Sequence, residues 1–392
     1  MIAAARGPLE RDERWARVAW SFLAEPRSPT LLRLIAQLGA VEALGRLRDG
    51  RLDRREGWQA RLPDLDLDAL RHATQRQRLH VLVPGDDGWP AGVDRLRLPP
   101  VCLYVRGDAD LASLTERSVA LVGSRAATDY GLTVAGDIAD GLVGRGWAVV
   151  SGAAYGIDAA SHRAALAADG PTVAVLACGA DRAYPTPHRG LLDAVARTGA
   201  VVSEVPPGCA PFRSRFLARN RIIAALARAT VVVEASVRSG SLTTAREARD
   251  LVLPVGAVPG PVTSMGSAGC HALLRETDAV LVTDAAEVAE LAGHIGEDLV
   301  GEVARPPRSP EDDLDAEAYG VWSAVPVRGG ATTARRASVA GVPLTRLVGV
   351  LAALEGEGLV TRDAGRWRKR SRERPTGERR TGERASDEGS AG

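Results

Sequence analysis

The apolar positions between Ser118 and Asp284 fall into seven short continuous runs, and most of these runs are separated by amphipathic, alanine-rich stretches of helical length. A continuous apolar run of this kind is typical of a strand covered on both faces, and strands that alternate with helices form a parallel sheet. The pattern therefore predicts an α/β protein with an extended Rossmann-like, doubly wound, mostly parallel sheet over residues 77–292. The predicted strands are 118–123, 147–152, 172–179, 200–205, 229–235, 253–260 and 279–284.

The segments on either side of the predicted sheet have different patterns. Residues 1–76 carry apolar side chains at helical spacing, which predicts a small helical domain. Residues 293–312 are rich in proline and then in acidic residues, so we interpret them as a linker. Over residues 313–370, helical patterns are followed by two short strands around the turn at 363–365, which is the order of a winged helix. Residues 371–392 are polar, charged and rich in Gly and Ser, which predicts a disordered tail.

Composition excludes several classes of protein. No apolar run approaches the roughly 20 residues that cross a bilayer, and the N-terminus is too charged for a secretory signal, so we expect a cytoplasmic protein with no membrane partner. The four cysteines are scattered and no histidine lies at ligand spacing, which predicts reduced thiols and no metal. A formal net charge of +1 excludes a globally basic protein. Any nucleic-acid site must therefore be local.

One segment is locally basic in spite of the balanced total. Residues 212–221 read FRSRFLARNR, with four arginines, two phenylalanines and no acidic residue. The run continues into IIAALA, so we expect Arg219 and Arg221 to lie where a helix begins. Arginine binds phosphate with two parallel hydrogen bonds, aromatic faces stack on bases, and a helix start favours an anion. A solvated arginine face is the alternative interpretation of such a run taken alone.

The loops that follow the predicted strands supply further anion-binding groups. The first strand ends in Gly123-Ser124-Arg125, the second in the glycine-containing turn at 151–158, and the fifth is followed by the hydroxyl-rich loop at 239–244. Each loop alone is equally consistent with a turn or a helix cap. In an open parallel sheet, however, ligands bind at the carboxyl ends of the strands. Together with the arginine segment, the loops predict a continuous phosphate-binding surface.

The signatures of common nucleotide-binding enzymes are missing from the sequence. The first strand is not followed by GxGxxG, and GxxxxGK[ST] does not occur, which excludes a P-loop ATPase. We interpret His162, His188 and His271 as packed or capping histidines, and Asp158 as a residue that caps a helix start. A hydrolytic centre is hard to assemble from these residues, and with no metal-ligand cluster and no nucleotide-binding signature we expect no cofactor.

Six motifs in this order resemble the DNA-processing protein A family, known as DprA or Smf. They are GSR at 123–125, SGxxxGID at 151–158, ARNRIIAAL at 218–226, VVVEA at 231–235, SGSLTTA at 239–245 and AVPG at 257–260. The resemblance is strong from about residue 80 to residue 290. The helical N-terminus is similar to the SAM-like domain of many members, and residues 311–370 are similar to their C-terminal winged helix.

The resemblance implies a homodimer that binds single-stranded DNA without strong sequence preference and delivers the recombinase RecA onto the strand, during natural transformation or recombination. It also implies that the protein is not an enzyme. Arg125, Arg219 and Arg221 would hold phosphates, and Phe212 and Phe216 are candidates for base stacking. The candidate DNA-binding residues are Gly123, Ser124, Arg125, Ser151, Gly152, Phe212, Arg213, Phe216, Arg219, Asn220, Arg221, Ser239, Gly240 and Ser241.

Two other functions stay open at this point. Phosphoribohydrolases of the same broad Rossmann group carry a PGGxGTxxE loop where this chain reads SGSLTTARE, with Glu247 further along the helix. Release of free base from a nucleoside monophosphate would identify such an enzyme. A transcription regulator that uses the winged helix would instead prefer duplex DNA to a single strand.

Overall fold

The computed structural model describes residues 8–52, 57–294, 296, 298–299, 313–326 and 331–370. The predicted tail at 371–392 and most of the predicted linker at 293–312 lie outside the described residues. The chain divides into two compact units, residues 1–301 and residues 302–392. Each unit is described by itself below.

A nine-stranded sheet forms the centre of the first unit. Its strands are β1 (Leu79–Leu82), β2 (Leu103–Arg106), β3 (Ser118–Gly123), β4 (Ala148–Ser151), β5 (Thr172–Leu176), β6 (Ala200–Ser203), β7 (Ala229–Glu234), β8 (Val255–Ala257) and β9 (Val280–Leu281). The order across the sheet is β1-β2-β6-β5-β4-β3-β7-β8-β9. The strands from β3 to β9 are parallel to one another, whereas β2 is antiparallel to β6 and β1 is antiparallel to β2. The predicted mostly parallel sheet is confirmed.

The helices of the first unit cover the sheet on both faces. They are α1 (Glu13–Leu23), α2 (Pro29–Leu38), α3 (Ala40–Arg48), α4 (Trp58–Arg61), α5 (Leu67–Arg76), α6 (Ala91–Asp94), α7 (Leu111–Glu116), α8 (Asp129–Val143), α9 (Ile157–Ala167), α10 (Arg189–Thr198), α11 (Arg213–Ala225), α12 (Ser241–Asp250), α13 (Ala268–Glu276) and α14 (Ala285–Ala292). Alternate strand residues point to opposite faces. Val119 and Val149 pack with α8, α9 and α14, whereas Ala120 and Val150 pack with α11, α12 and α13.

The N-terminal helices share a core with the sheet. Trp20 of α1 is fully buried, its ring centroid lies 5.2 Å from that of Trp58, and both belong to one apolar cluster with Leu176 of β5. The hydroxyl groups of Ser21 and Tyr104 are 2.8 Å apart and join α1 to β2. Helices α1–α5 therefore belong to the same compact unit as the sheet, although they precede it in sequence.

The order of the strands reverses next to β3. From β3 the chain proceeds through β4 and β5 to β6 on one side, and it then returns to place β7 on the other side of β3. In open α/β sheets a crevice forms outside the carboxyl ends of the strands at such a reversal. The loops after β3, β4 and β7 meet at this crevice.

In the described part of the second unit, six elements surround a small core. They are α15 (Ala316–Ala324), β10 (Ala331–Thr332), α16 (Thr333–Ala340), α17 (Leu344–Gly356), β11 (Val360–Asp363) and β12 (Arg366–Lys369). The strands form an antiparallel sheet in the order β10-β12-β11. Ala364 and Gly365 connect β11 to β12 with φ of 46° and 77°, as a two-residue hairpin turn requires. Val321, Leu347 and Trp367 are buried in the core.

Among the described residues, no helix combines the length and the apolar character that a bilayer-crossing segment needs.

Candidate nucleic-acid interface

A cleft of about 780 Å³ opens at the carboxyl edge of the sheet, where the strand order reverses. We call it the strand-end cleft. It is formed by the loops after β3, β4 and β7 together with one side of α11. Most of the predicted site residues line it: Gly123, Ser124, Arg125, Arg213, Phe216, Arg219, Asn220, Ser239, Gly240 and Ser241. The structure therefore brings segments more than 100 residues apart in sequence into one site.

Gly123 and Ser124 fix the loop after β3. A Cβ atom on Gly123 would lie 2.5 Å from Cγ1 of Ile157 and 2.8 Å from the carbonyl oxygen of Glu234, so only glycine fits. The amide of Ser124 donates to the carbonyl of Glu234 at 2.7 Å, and the amide of Ile157 donates to the carbonyl of Ser124 at 3.2 Å. The loop is thus held between β7 and α9, and Arg125 at its end is exposed at the cleft.

Arg219 forms part of the cleft floor and is only 6% exposed. Its Nη1 donates to the carbonyls of Gly152, at 2.8 Å, and of Val175, and its Nε donates to Oδ1 of Asn220 at 3.3 Å. A Cβ atom on Gly152 would lie 2.3 Å from this Nη1, so Gly152 makes room for the guanidinium. Burial lowers the pKa of Arg219 to about 10, with the charge of Asp158 opposing the shift. At neutral pH the floor therefore carries a fixed positive charge.

The expected position of Arg221 is corrected by the structure. Arg221 is 1% exposed, and its Nη2 pairs with Oε1 of Glu204 at 2.7 Å, just beyond the end of β6. Helix α11 begins at Arg213, so Arg219 and Arg221 lie well inside it and not at its start. Residues 213–225 contain no glycine or proline that would delay the start of the helix. Because its charge is already paired inside the core, Arg221 is not available to a phosphate.

Three other predicted residues also lie outside the cleft lining. Ser151 is fully buried and its hydroxyl donates to the carbonyl of Leu121 at 2.7 Å, so this hydroxyl is corrected from a ligand group to a core contact. Gly152 contributes through the space that it leaves for Arg219. Phe212 is 55% exposed, and the guanidinium of Arg215 lies 4.9 Å from the centre of its ring.

One wall of the cleft is aromatic. The guanidinium of Arg125 lies 4.9 Å from the centre of the Phe216 ring. The ring centroids of Tyr184 and Phe216 are 5.5 Å apart, at an interplanar angle of 56°. Tyr184 is 42% exposed. Tyr184 was not among the predicted residues; its signal was a tyrosine next to a proline in the loop that follows a predicted strand. The wall offers flat apolar faces next to positive charge.

The rim of the cleft is basic. Arg125, Arg213 and Arg238 all line the cleft and are exposed. Arg238 was also missed, although it directly precedes the predicted hydroxyl-rich loop. Nδ2 of Asn220 donates to the carbonyl of Gly240 at 3.2 Å, which ties that loop to α11.

A single carboxylate accompanies these arginines in the described part of the lining. Asp158 is 7% exposed and lies at the start of α9, where its Oδ2 accepts a hydrogen bond from the amide of Ala154 at 3.3 Å. Burial raises the pKa of Asp158, and the charge of Arg219, the amide of Ala154 and the charge of Arg125 oppose this shift. The site thus combines a basic rim with a floor that holds charges of both signs.

Residues 80–293 match the family model described as DNA recombination-mediator protein A. A protein from Mycobacterium tuberculosis (strain ATCC 25618 / H37Rv), provisionally named DNA processing protein DprA, is 45% identical over 373 residues, which cover 89% of this chain and 93% of the relative. The X-ray structure of DprA from Streptococcus pneumoniae is 32% identical with a TM-score of 0.61, covering 74% and 98% of the two chains. A structure on the single-stranded DNA binding mode of DNA processing protein A from Helicobacter pylori is 28% identical with a TM-score of 0.49, covering 55% and 96%.

The Arg221–Glu204 pair provides a test of the corrected role of Arg221. Arg221→Met leaves the carboxylate of Glu204 buried without its partner, so we expect a loss of about 3–5 kcal/mol in the free energy of unfolding, measured in urea. The double variant Arg221→Met/Glu204→Gln should recover part of the loss. Arg213→Met changes an exposed position and should stay within about 0.5 kcal/mol of the parent. Unchanged stability of Arg221→Met would contradict the structural role.

Asp158 provides a second test, because a buried carboxylate with a raised pKa costs stability at neutral pH. Its proton is bound more tightly in the folded state, so the folded state gains stability as the pH falls through the raised pKa and loses it as the pH rises. We expect Asp158→Asn to unfold at a higher temperature than the parent at pH 7, and we expect this gain in the unfolding midpoint to shrink at pH 5. The exposed Asp140→Asn serves as the control. A gain that grows on acidification would refute the assignment.

Proposed function

Because the chain belongs to the DNA recombination-mediator protein A family, whose relatives carry the names DprA and Smf, we propose that it binds single-stranded DNA in the strand-end cleft. We propose further that the binding has no strong sequence preference and that it promotes RecA loading in natural transformation or DNA recombination. The observation that carries the proposal is the pairing of an exposed arginine rim with an aromatic wall in one cleft.

The three rim arginines suit a phosphate backbone. Arg125, Arg213 and Arg238 are exposed, so their guanidinium groups can move to phosphates without leaving a buried partner behind. Each phosphate neutralised on a single strand lowers the slope of log K against log salt by about 0.7. Because phosphates carry no sequence information, this part of the binding is indifferent to base identity.

The aromatic wall suits unpaired bases. Phe216 and Tyr184 line the cleft, and every base has a face that can stack on an aromatic ring. Bases in a duplex are already stacked on their neighbours, so this wall favours a single strand. Stacking of this kind contributes about 1–3 kcal/mol per base and tolerates all four bases.

The remaining parts of the proposal concern the whole chain. We propose that α1–α5 form a SAM-like domain and that residues 313–370 form a winged helix, supported by the order α15, β10, α16, α17, β11, β12. We also propose a cytoplasmic homodimer, in which two clefts would act together on one strand and so gain affinity by avidity.

We propose that the protein is not an enzyme. In the phosphoribohydrolase alternative, the glutamate of the loop after β7 would have to reach the ligand. Glu247 instead pairs with Arg27 at 2.6 Å and lies outside the cleft lining in the described part of the chain. Glu247 is therefore engaged in holding α12 against the α1–α2 loop.

Binding of a fluorescent single-stranded oligonucleotide across a salt series tests the proposed cleft. We expect the triple variant Arg125→Ala/Arg213→Ala/Arg238→Ala to bind more than tenfold more weakly near 0.1 M salt, with a shallower salt dependence because fewer phosphates are neutralised. The charge-matched control Arg76→Ala/Arg145→Ala/Arg197→Ala removes three exposed arginines outside the cleft lining. Equal loss in both variants would show that binding follows total charge and not this cleft.

The proposed partner is tested by the time course of RecA filament formation on a strand first covered with a single-strand binding protein. We expect the protein to shorten the lag before filament growth and the triple rim variant to lose this effect. Sedimentation equilibrium on the same samples measures the homodimer. If the parent protein leaves the lag unchanged, the loading role is contradicted, whereas the proposed DNA-binding site is not affected by that result.

A further inference from the structure

Two buried groups of opposite charge lie at the floor of the strand-end cleft without forming an ion pair. Asp158 is 7% exposed and Arg219 is 6% exposed, and both line the cleft. Their interaction opposes the pKa shift of each group, yet among the described residues no guanidinium nitrogen of Arg219 lies within 4.0 Å of a carboxylate oxygen of Asp158. Arg219 is turned to the carbonyls of Gly152 and Val175 instead. An acceptor and a cation are therefore left side by side at the floor.

The carboxylate makes the floor a poor place for phosphate. A phosphate next to Arg219 would also lie near Asp158, and the repulsion between the two anions would offset much of the attraction. Asp158 is the one carboxylate among the described lining residues, and it lies at the floor. The rim carries three exposed arginines. Phosphates are thus better placed at the rim, and a neutral group with hydrogen-bond donors and acceptors is better placed at the floor.

The polar edge of a nucleobase is such a group. Adenine, cytosine and guanine carry an exocyclic amino group near a ring or carbonyl acceptor. Thymine has no amino group, and its ring N–H lies between two carbonyl oxygens that would face the carboxylate. A carboxylate accepts hydrogen bonds only, which matches the amino group. Phe216 and Tyr184 on the wall supply flat faces for the ring.

We infer that Asp158 is a base-reading residue: it accepts a hydrogen bond from the amino group of one nucleobase that enters the cleft, while the phosphates stay at the arginine rim. This inference rests on the proposed binding of single-stranded DNA and adds the orientation of the strand in the cleft. It gives one position in each cleft a modest preference for amino-bearing bases over thymine, which a strand bound mainly through its phosphates tolerates.

The test compares two oligonucleotides of equal length that differ only in the amino group, oligo-deoxyadenosine and oligo-deoxynebularine, whose base is unsubstituted purine. Loss of one hydrogen bond to a carboxylate should weaken binding of the parent protein by about tenfold or more. Asp158→Ala should bind the two strands equally. The charge-matched control Asp140→Ala lies on α8, is exposed and should keep the parent's ratio. A strand of abasic nucleotides measures the phosphate contribution alone.

The outcomes separate this inference from the proposed function. If the ratio persists in Asp158→Ala, or if Asp158→Ala binds every strand more tightly by the same factor, including the abasic one, Asp158 acts only through its charge and the inference fails. If the parent binds no single strand at all, the proposed function itself fails. The thermal unfolding midpoint of Asp158→Ala is measured as well. A midpoint no lower than that of the parent shows that a change in the affinity ratio does not come from unfolding. A ratio that collapses only in Asp158→Ala supports base reading.

Discussion

The site depends on the way in which buried arginines anchor α11. Arg219 is bound to the carbonyl of Gly152, directly after β4, and to that of Val175 in β5, whereas Arg221 pairs with Glu204 beyond β6. One helix is thus joined to the ends of three neighbouring strands by two side chains that it buries itself. Such contacts have strict geometry, because a buried guanidinium without its acceptors would cost several kcal/mol. These contacts therefore fix the position of α11 at the sheet edge, and the position of α11 in turn fixes the shape of the cleft.

The same helix shows how far the sequence could predict the site. The loops that the motifs singled out do meet at one cleft, since parallel strands bring their carboxyl ends to one edge. The number of arginines in the segment does not indicate which of their side chains face the cleft and which face the core. That depends on where the helix begins, and with the start at Arg213 the helical period puts Arg213, Phe216 and Asn220 toward the cleft. Tyr184 and Arg238 were missed because each stands beside a motif and not within it.

The segment between the N-terminal helices α1 and α2 contacts two helices of the site, although it lies about 200 residues away from them in sequence. Arg215 of α11 makes two hydrogen bonds to the carboxylate of Glu25, at 2.8 and 2.9 Å, and Arg27 pairs with Glu247 of α12. The short segment between α1 and α2 is therefore bound to α11 and α12, two of the helices that line the cleft. Periodicity predicted the helices themselves, but such ion pairs connect positions about 200 residues apart, and a single sequence does not indicate them.

Two groups of arginines in this site should respond differently to salt. Arg219 and Arg221 are at least 94% buried, so mobile ions cannot approach them closely and their contacts are screened little. Arg125, Arg213 and Arg238 are exposed, and their attraction to a phosphate falls off over a screening length of about 8 Å at physiological ionic strength. In the proposed function, salt would therefore release a bound strand while the cleft keeps its shape. Within residues 212–221 the arginines divide in the same way, because Arg219 and Arg221 are buried and Arg213 is exposed at the rim.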